Sequence, residues 1–173
     1  GGDWLVPRYQ GQPFFDKPIL SYWAMAAAMK VFGTNPAAAR LVPLVASLLL
    51  VLATAGLGVL LFDRRSALAG GVILATTVAF LSFARVAMSD MLLALFSTLS
   101  VALGLRAYRA RSALALVGLG GALGLGFATK GPVALLVPGL ALLLLVWQRR
   151  SRPMSWRGWP ALPWRPGALC LAV

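Results

Sequence analysis

Between residues 41 and 147 the chain is a succession of apolar runs, 41–62, 67–84, 91–105, 113–129 and 133–147, each closed by charge, glycine or proline. A helix rises about 1.5 Å per residue and must cover roughly 30 Å of hydrocarbon, so the first run spans a bilayer unaided and the shorter ones need their flanks to do so. In lipid every backbone polar group has to be satisfied within its own segment, which leaves helices as the structure such runs can adopt. The rest of the composition agrees, with 60% hydrophobic and 12% charged residues and a mean hydropathy of +0.85. The expected fold is therefore all-α, a polytopic transmembrane helix bundle with five crossings over 39–148. A cytoplasmic loop over 149–166 and the start of a further crossing at 167–173 follow. The opening glycine and the apolar "GALCLAV" at the end suggest a segment of a longer chain.

Residues 1–38 read differently, as a loop containing a short helix. Pro18 suits a first helical position, where its missing N–H is not needed, and Gly33 supplies a stop. A helix over 19–32 is too short to cross, so it is expected in the interface, leaving the chain on its starting side. Asn35-Pro36 then caps the first crossing.

The net charge of +12 invites a nucleic-acid reading. Such a site gathers basic residues on one wetted face, whereas here apolar runs hold them apart, so no nucleic-acid partner is expected. Membrane topology accounts for them better. Alternate loops collect Arg64, Arg65, Arg106, Arg109, Arg111, Arg149, Arg150, Arg152, Arg157 and Arg165, and the positive-inside rule makes that face cytoplasmic. Trp156, Trp159 and Trp164 are spaced there as interfacial anchors. Cys170, the single cysteine, supports neither a disulfide nor a thiolate metal cluster.

The opposite face carries charges that topology does not require: Asp3, Arg8, Asp16, Lys17, Lys30, Arg40, Arg85, Asp90 and Lys130. Ionisable groups at a membrane boundary face a cavity, pair, or bind something charged. Asp16-Lys17 precedes the short helix, Arg85 and Asp90 flank one turn, and Lys130 ends the next helix. Three turns thus bring charge to one boundary, with bases suited to a phosphate and acids suited to a divalent cation or a proton. Plainer roles fit the same residues. Asp16-Lys17 also reads as a solvated pair, Ser89-Asp90 as a helix N-cap, and Lys130, Lys30 and Arg40 as snorkelling side chains. Arg85 and Asp90, five positions apart, pair only across a turn.

The run "GLGGALGLG", 118–126, lacks both a preceding strand and the spacing of a dinucleotide loop. Gly120 and Gly124 instead suggest close helix packing in lipid. "TKGP" lacks the upstream glycine of a phosphate loop.

Four ordered stretches, "GDWLVPRYQGQPFFDKPILSYW", "VFGTNPAAARLVP", "RVAMSDMLLALF" and "GFATKGPVALLVPG", resemble the bacterial aminoarabinose transferase and protein mannosyltransferase superfamily, membrane glycosyltransferases of the GT-C fold. The resemblance runs to about residue 148. It implies that Asp16, where the family usually has glutamate, lies at the active site as a possible ligand of a divalent metal ion, and that Lys17 contacts the donor phosphate. It sets Asp90 in the catalytic region near the lipid-phosphate end of the cavity, with Lys130 and, less securely, Arg85 on the phosphate itself. The family's aspartate base is expected upstream of Gly1, and Asp3 belongs to the "DW" motif.

The activity implied is transfer of a sugar from a polyprenyl-phosphate donor to a cell-envelope acceptor, lipid or protein, at the periplasmic face of the inner membrane. The departing phosphate needs charge stabilisation more than a general acid, a task for Lys17, Lys130 and Arg85. A carboxylate or metal would activate the acceptor, with inversion at the sugar carbon. Two other readings remain open: a secondary transporter, with broken helices and midplane charge, and a noncatalytic membrane protein that binds lipid headgroups.

Overall fold

Local chain stops, more than hydrophobicity, decide where each helix begins and ends. The computed structural model describes residues 8–9, 12–13 and 18–151. Two short strands, β1 (Arg8–Tyr9) and β2 (Gln12–Pro13), pair antiparallel with Arg8 opposite Pro13 and Tyr9 opposite Gln12. Every other element is helical. Helix α1 (Leu20–Phe32) closes on Gly33, whose φ of +86° is one that side-chain-bearing residues rarely adopt. Asn35 then links two helices. Its Nδ2 donates to the Phe32 carbonyl at 3.0 Å, and its Oδ1 accepts from the Ala38 N–H at 2.8 Å, capping α2 (Pro36–Leu61) with Pro36 in the first turn. At 26 residues α2 is about 39 Å long.

Asp63 starts α3 (Arg64–Thr76) by accepting from the Arg65 and Ser66 N–H groups at 2.9 and 3.3 Å and from the Ser66 hydroxyl. Those bonds, the hydroxyl's foremost, hold its carboxyl below the usual carboxylate pKa.

The run over 67–84 is not one straight helix, which corrects the sequence expectation. It divides at Thr77, whose ψ of 124° is extended, into α3 and α4 (Val78–Ala84), and the two are bent by 64°. Three consecutive β-branched residues, Thr76, Thr77 and Val78, sit at the break. The threonine hydroxyls bond back to the carbonyls of Val72 and Ile73, an arrangement that competes with the helical ladder and bends it.

Helices α5 (Asp90–Ala110) and α6 (Ala113–Lys130) follow as an antiparallel hairpin turned by Arg111 in the left-handed region, with the Ser112 hydroxyl accepting from the Ala115 N–H. Helix α5 packs chiefly against α6 and α2, and α2 also packs against α3 and α1. Helix α7 (Val133–Ser151) runs across the boundary of two compact units, residues 1–142 and 143–173, and the second unit is described only where this helix continues.

The distribution of side chains suits lipid. Ala38, Ala46, Ala67, Ala84, Ala115, Ala122, Ser47 and Ser100 are buried, while Leu48, Leu52, Val72, Ile73, Leu116, Leu136 and Leu143 are exposed. Small residues let backbones approach, and large apolar ones face a solvent as apolar as themselves. The buried hydroxyls stay satisfied locally, Ser47 on Leu44, Ser100 on Phe96 and Thr129 on Leu125. One core cluster joins Ala46 and Leu50 to Met91 and Leu95, and a hydrogen bond from Arg109 to the Leu60 carbonyl joins the C-terminal ends of α5 and α2, so the two helices run parallel.

Close approach occurs at other glycines than expected. A Cβ on Gly120 or Gly124 would meet nothing within 4 Å among the described residues. On Gly58 it would lie 2.9 Å from the Ala67 Cα, and on Gly126 it would lie 3.3 Å from the Ala134 Cβ and 3.4 Å from the Phe96 Cβ. Spacing alone gives the period of a small-residue stripe but not which side of the helix its neighbours occupy.

By length and apolarity α2, α5 and α6 can each cross a membrane, the bent α3–α4 pair can form a fourth crossing or a re-entrant segment, and the apolar part of α7, Val133–Trp147, is shorter.

Candidate functional site

The α5–α6 hairpin brings two of the expected residues together. Asp90 is the first residue of α5 and Lys130 the last of α6, forty positions apart, and antiparallel pairing sets them side by side. The Lys130 Nζ donates to Asp90 Oδ1 as an ion pair. Each charge also suits its own helix end, the carboxylate at an N-terminus and the ammonium at a C-terminus.

The sequence "TKGP" builds the lysine's position. Thr129 is fully buried and bonds back to Leu125, which anchors the last turn of α6. Gly131, at φ +67° and ψ −147°, breaks the helix in a conformation open to glycine, and its N–H returns to the Phe127 carbonyl at 2.7 Å. Pro132 then leads into α7. Lys130 is therefore held at a sharp corner, with its last carbon atoms and ammonium as the adjustable part.

On the other side, Ser89 occupies the N-cap of α5 without a side-chain capping bond. Ser89-Asp90 does mark the helix start, with the Asp90 charge suiting the dipole but without a capping bond from Ser89. What the Asp90 carboxylate engages is Lys130.

The pair is accessible. The two side chains are 42% and 39% exposed, so neither charge bears the full desolvation of a buried pair and an incoming anion can reach the ammonium.

Arg85 lies at the end of α4, in the same α4–α5 connection as Asp90, with an exposed side chain. It forms no ion pair or side-chain hydrogen bond among the described residues, so the turn that could have joined it to Asp90 leaves it apart. Asp16 and Lys17 lie outside the described residues. Arg40 is exposed in the first turns of α2, as a snorkelling side chain would be.

No group of three or more His, Cys, Asp or Glu side chains among the described residues could hold a metal ion. Asp63 and Asp90 begin helices whose starts are at opposite ends of the bundle, and Asp90 is already engaged by Lys130. The described residues alone do not fit a divalent cation. A broken helix is a feature of transporters, yet the break at Thr77 carries only hydroxyls, and these are bonded to carbonyls of their own helix.

Sequence reasoning missed one contact at the far end of the hairpin. Arg109 Nη1 donates to the carbonyl of Leu60, one of the last four of α2 and so without a partner in its own helix. An arginine in the last turn of a helix was the available signal, but the recipient helix is not adjacent in sequence. From Asp90 to Arg109 is 19 residues of one helix, about 28 Å, close to the thickness of a hydrocarbon core.

Comparison with known proteins bears on the family and the helical fold. Residues 16–172 match the family model of dolichyl-phosphate-mannose-protein mannosyltransferase. The chain is 38% identical over 160 residues to the undecaprenyl phosphate-alpha-4-amino-4-deoxy-L-arabinose arabinosyl transferase of Pseudomonas aeruginosa strain LESB58, covering 89% of this chain and 29% of that protein. It is 34% identical over 155 residues to the protein of the same name from Yersinia enterocolitica, covering 86% and 28%. The crystal structure of ArnT from Cupriavidus metallidurans in the apo state superposes with a TM-score of 0.78 at 26% identity, over 86% of this chain and 29% of that one. The chain thus spans under a third of the length of these relatives. The expected all-α, GT-C-like helix bundle is the fold found, and the helices together with these relatives mark a protein of the bacterial inner membrane. On the extent of the family match and the agreement of the helical fold, the chain belongs to the dolichyl-phosphate-mannose-protein mannosyltransferase family.

Proposed function

We propose that the chain is the donor-phosphate part of a longer glycosyltransferase, one that moves a sugar from a polyprenyl phosphate to a cell-envelope acceptor, with the Asp90–Lys130 end of the hairpin facing the periplasm. The observation that carries this is the ion pair itself: an accessible lysine, fixed at a helix corner and partnered by a single carboxylate. The relatives named for an undecaprenyl phosphate-linked aminoarabinose support a donor of that class, and lipid A, a protein hydroxyl or another glycan remain the acceptor classes.

The chemistry follows from the charges. The bond between the sugar's anomeric carbon and the phosphate oxygen breaks as the acceptor oxygen attacks from the opposite face, leaving negative charge on the phosphate. Lys130 stabilises that charge, joined by Lys17 and by Arg85 once a phosphate draws its side chain in. Asp90 holds the ammonium in place until the phosphate arrives and then shares it. Asp16 stands in this reading as the site carboxylate, directly or through a divalent metal, and the acceptor's proton goes to an aspartate elsewhere in the full-length enzyme. Helix α1, packed against α2 and α6, would lie in the interface beside this end, and the exposed leucines and valines of the bundle would give the polyprenyl tail an apolar surface.

The test is complementation of a transferase-deficient strain with the full-length protein, read by mass spectrometry of envelope glycans. Wild type restores a sugar-modified species; Lys17→Ala and Lys130→Ala insert but do not. Full modification by both variants removes these lysines from the mechanism.

A further inference from the structure

The end of the bundle opposite the Asp90–Lys130 pair gathers arginines from two separate turns. The Arg109 bond to the Leu60 carbonyl ties the end of α5 to the end of α2. Arg64 and Arg65 follow that end of α2 directly, Arg106 lies one helical turn before Arg109 on the same side of α5, and Arg111 forms the α5–α6 corner. All five are exposed. The one acid nearby among the described residues, Asp63, directs its carboxylate to the Arg65 and Ser66 N–H groups and the Ser66 hydroxyl as a helix cap. None of Arg64, Arg65, Arg106 and Arg111 has a carboxylate partner among the described residues.

The corner is built to project its charge. Arg111 has φ +49° and ψ +36°, left-handed backbone that an arginine occupies at some cost and that turns the chain sharply between two membrane-length helices. Loop sidedness accounts for arginines near the ends of crossings, but it does not require that two turns be tied together by a hydrogen bond, nor that the local acid be withdrawn into a cap. A guanidinium offers a planar, bidentate fork that matches phosphate oxygens. The cluster is about 28 Å from Asp90 along α5, so it sits where headgroups of the second leaflet lie.

We propose that this corner, Arg64, Arg65, Arg106 and Arg111 around the Arg109–Leu60 tie, is a binding site for the phosphate headgroup of an anionic membrane phospholipid, one bearing two phosphates filling it best. The occupant is a bilayer lipid of the leaflet opposite the donor site, held by charge and hydrogen bonds with its chains against the exposed apolar sides of α2, α3 and α6. It is a resident of the protein and not a substrate, and the assignment does not depend on the reaction proposed above.

The test uses full-length protein purified in detergent, with native mass spectrometry and titration of cardiolipin against phosphatidylcholine. Wild type retains cardiolipin preferentially, and retention weakens as ionic strength rises. The double variants Arg64→Gln/Arg65→Gln and Arg106→Gln/Arg111→Gln each leave part of the basic face to direct insertion. Each is expected to bind cardiolipin about tenfold or more weakly, since an arginine near an anionic surface is worth roughly fivefold in affinity. Intact helicity by circular dichroism and a monodisperse elution profile show that each variant is folded. Equal retention of the two lipids by wild type, or unchanged cardiolipin affinity in both folded variants, overturns the proposal and leaves these arginines with topology alone.

Discussion

The two ends of the α5–α6 hairpin are made from the same ingredients, a few charged residues flanking long apolar helices, and they differ in how those charges are matched. At one end an acid and a base from different helices meet as an accessible pair. At the other, two turns carrying arginines are linked by the Arg109 bond to Leu60 while the local carboxylate is occupied with backbone and hydroxyl groups. A matched pair can exchange one partner for a ligand of like charge, which suits binding and release. An unmatched cluster of one sign needs a counter-charge to be present all the time. On the two proposals above, the first pattern would serve turnover and the second anchorage.

The sharpest way to break this contrast is to delete the lysine. Removing one preorganised charge contact to a developing anion costs about 100- to 1000-fold in rate, so Lys130→Ala in the full-length enzyme is expected to lower sugar transfer by that order with insertion intact. A rate within a few-fold of wild type would make the pair structural.

Gly58→Ala follows in size and tests the packing beneath the arginine end. Its Cβ would lie 2.9 Å from backbone at Ala67, and overpacking of this kind costs about 1–3 kcal/mol. Thermal unfolding should fall for Gly58→Ala and stay near wild type for Gly120→Ala, where nothing lies within 4 Å among the described residues. Equal effects would mean that α2 and α3 do not touch there.

Asp90→Asn separates function from stability at the paired end. An exposed pair contributes at most about 1 kcal/mol, so the melting temperature should hardly move. Transfer should still fall by about tenfold or more, because an unheld lysine must be ordered by the substrate itself. A loss of stability that parallels the loss of activity would assign Asp90 to the fold.

The smallest effect is expected at Asp63. Its carboxyl is held below the ordinary carboxylate range by the Ser66 hydroxyl first and then by backbone N–H groups. The folded pKa is the lower one, so the cap's contribution is complete above the unfolded value and is lost as pH falls through the folded value. Asp63→Asn should flatten the acid side of the stability profile slightly; an unaltered profile would show that the cap does not couple to folding.

Much of this architecture can be read from residue types. Gly33, Asn35-Pro36, Asp63 and Gly131 mark helix limits by chemistry that acts within a few residues, so α1 starts one residue from the expected place and α6 ends one residue from it. Helix α2 begins at Pro36, earlier than its apolar run, because a cap starts a helix before hydrophobicity does. Helix α5 likewise outlasts its run through Arg106 and Arg109, whose side chains reach polar surroundings while their backbone stays helical. The break at Thr77 was hidden because threonine is tolerated in apolar helices, and only the joint back-bonding of Thr76 and Thr77 turns the chain.

Of the site, Asp90 and Lys130 could each be named from motif and sidedness, but their partnership depends on helix pairing across forty residues and is visible in the fold alone. Asp16 and Lys17 lie outside the described residues, and their roles are carried by the family resemblance.

Equilibrium binding of a radiolabelled polyprenyl phosphate, without sugar, to the full-length protein and to Lys130→Ala tests the central claim most directly. The account predicts that wild type binds the lipid phosphate and that the variant binds at least about tenfold more weakly, while an uncharged polyprenol of the same length distinguishes the two hardly at all. Equal affinity of wild type and variant for the phosphate would contradict it.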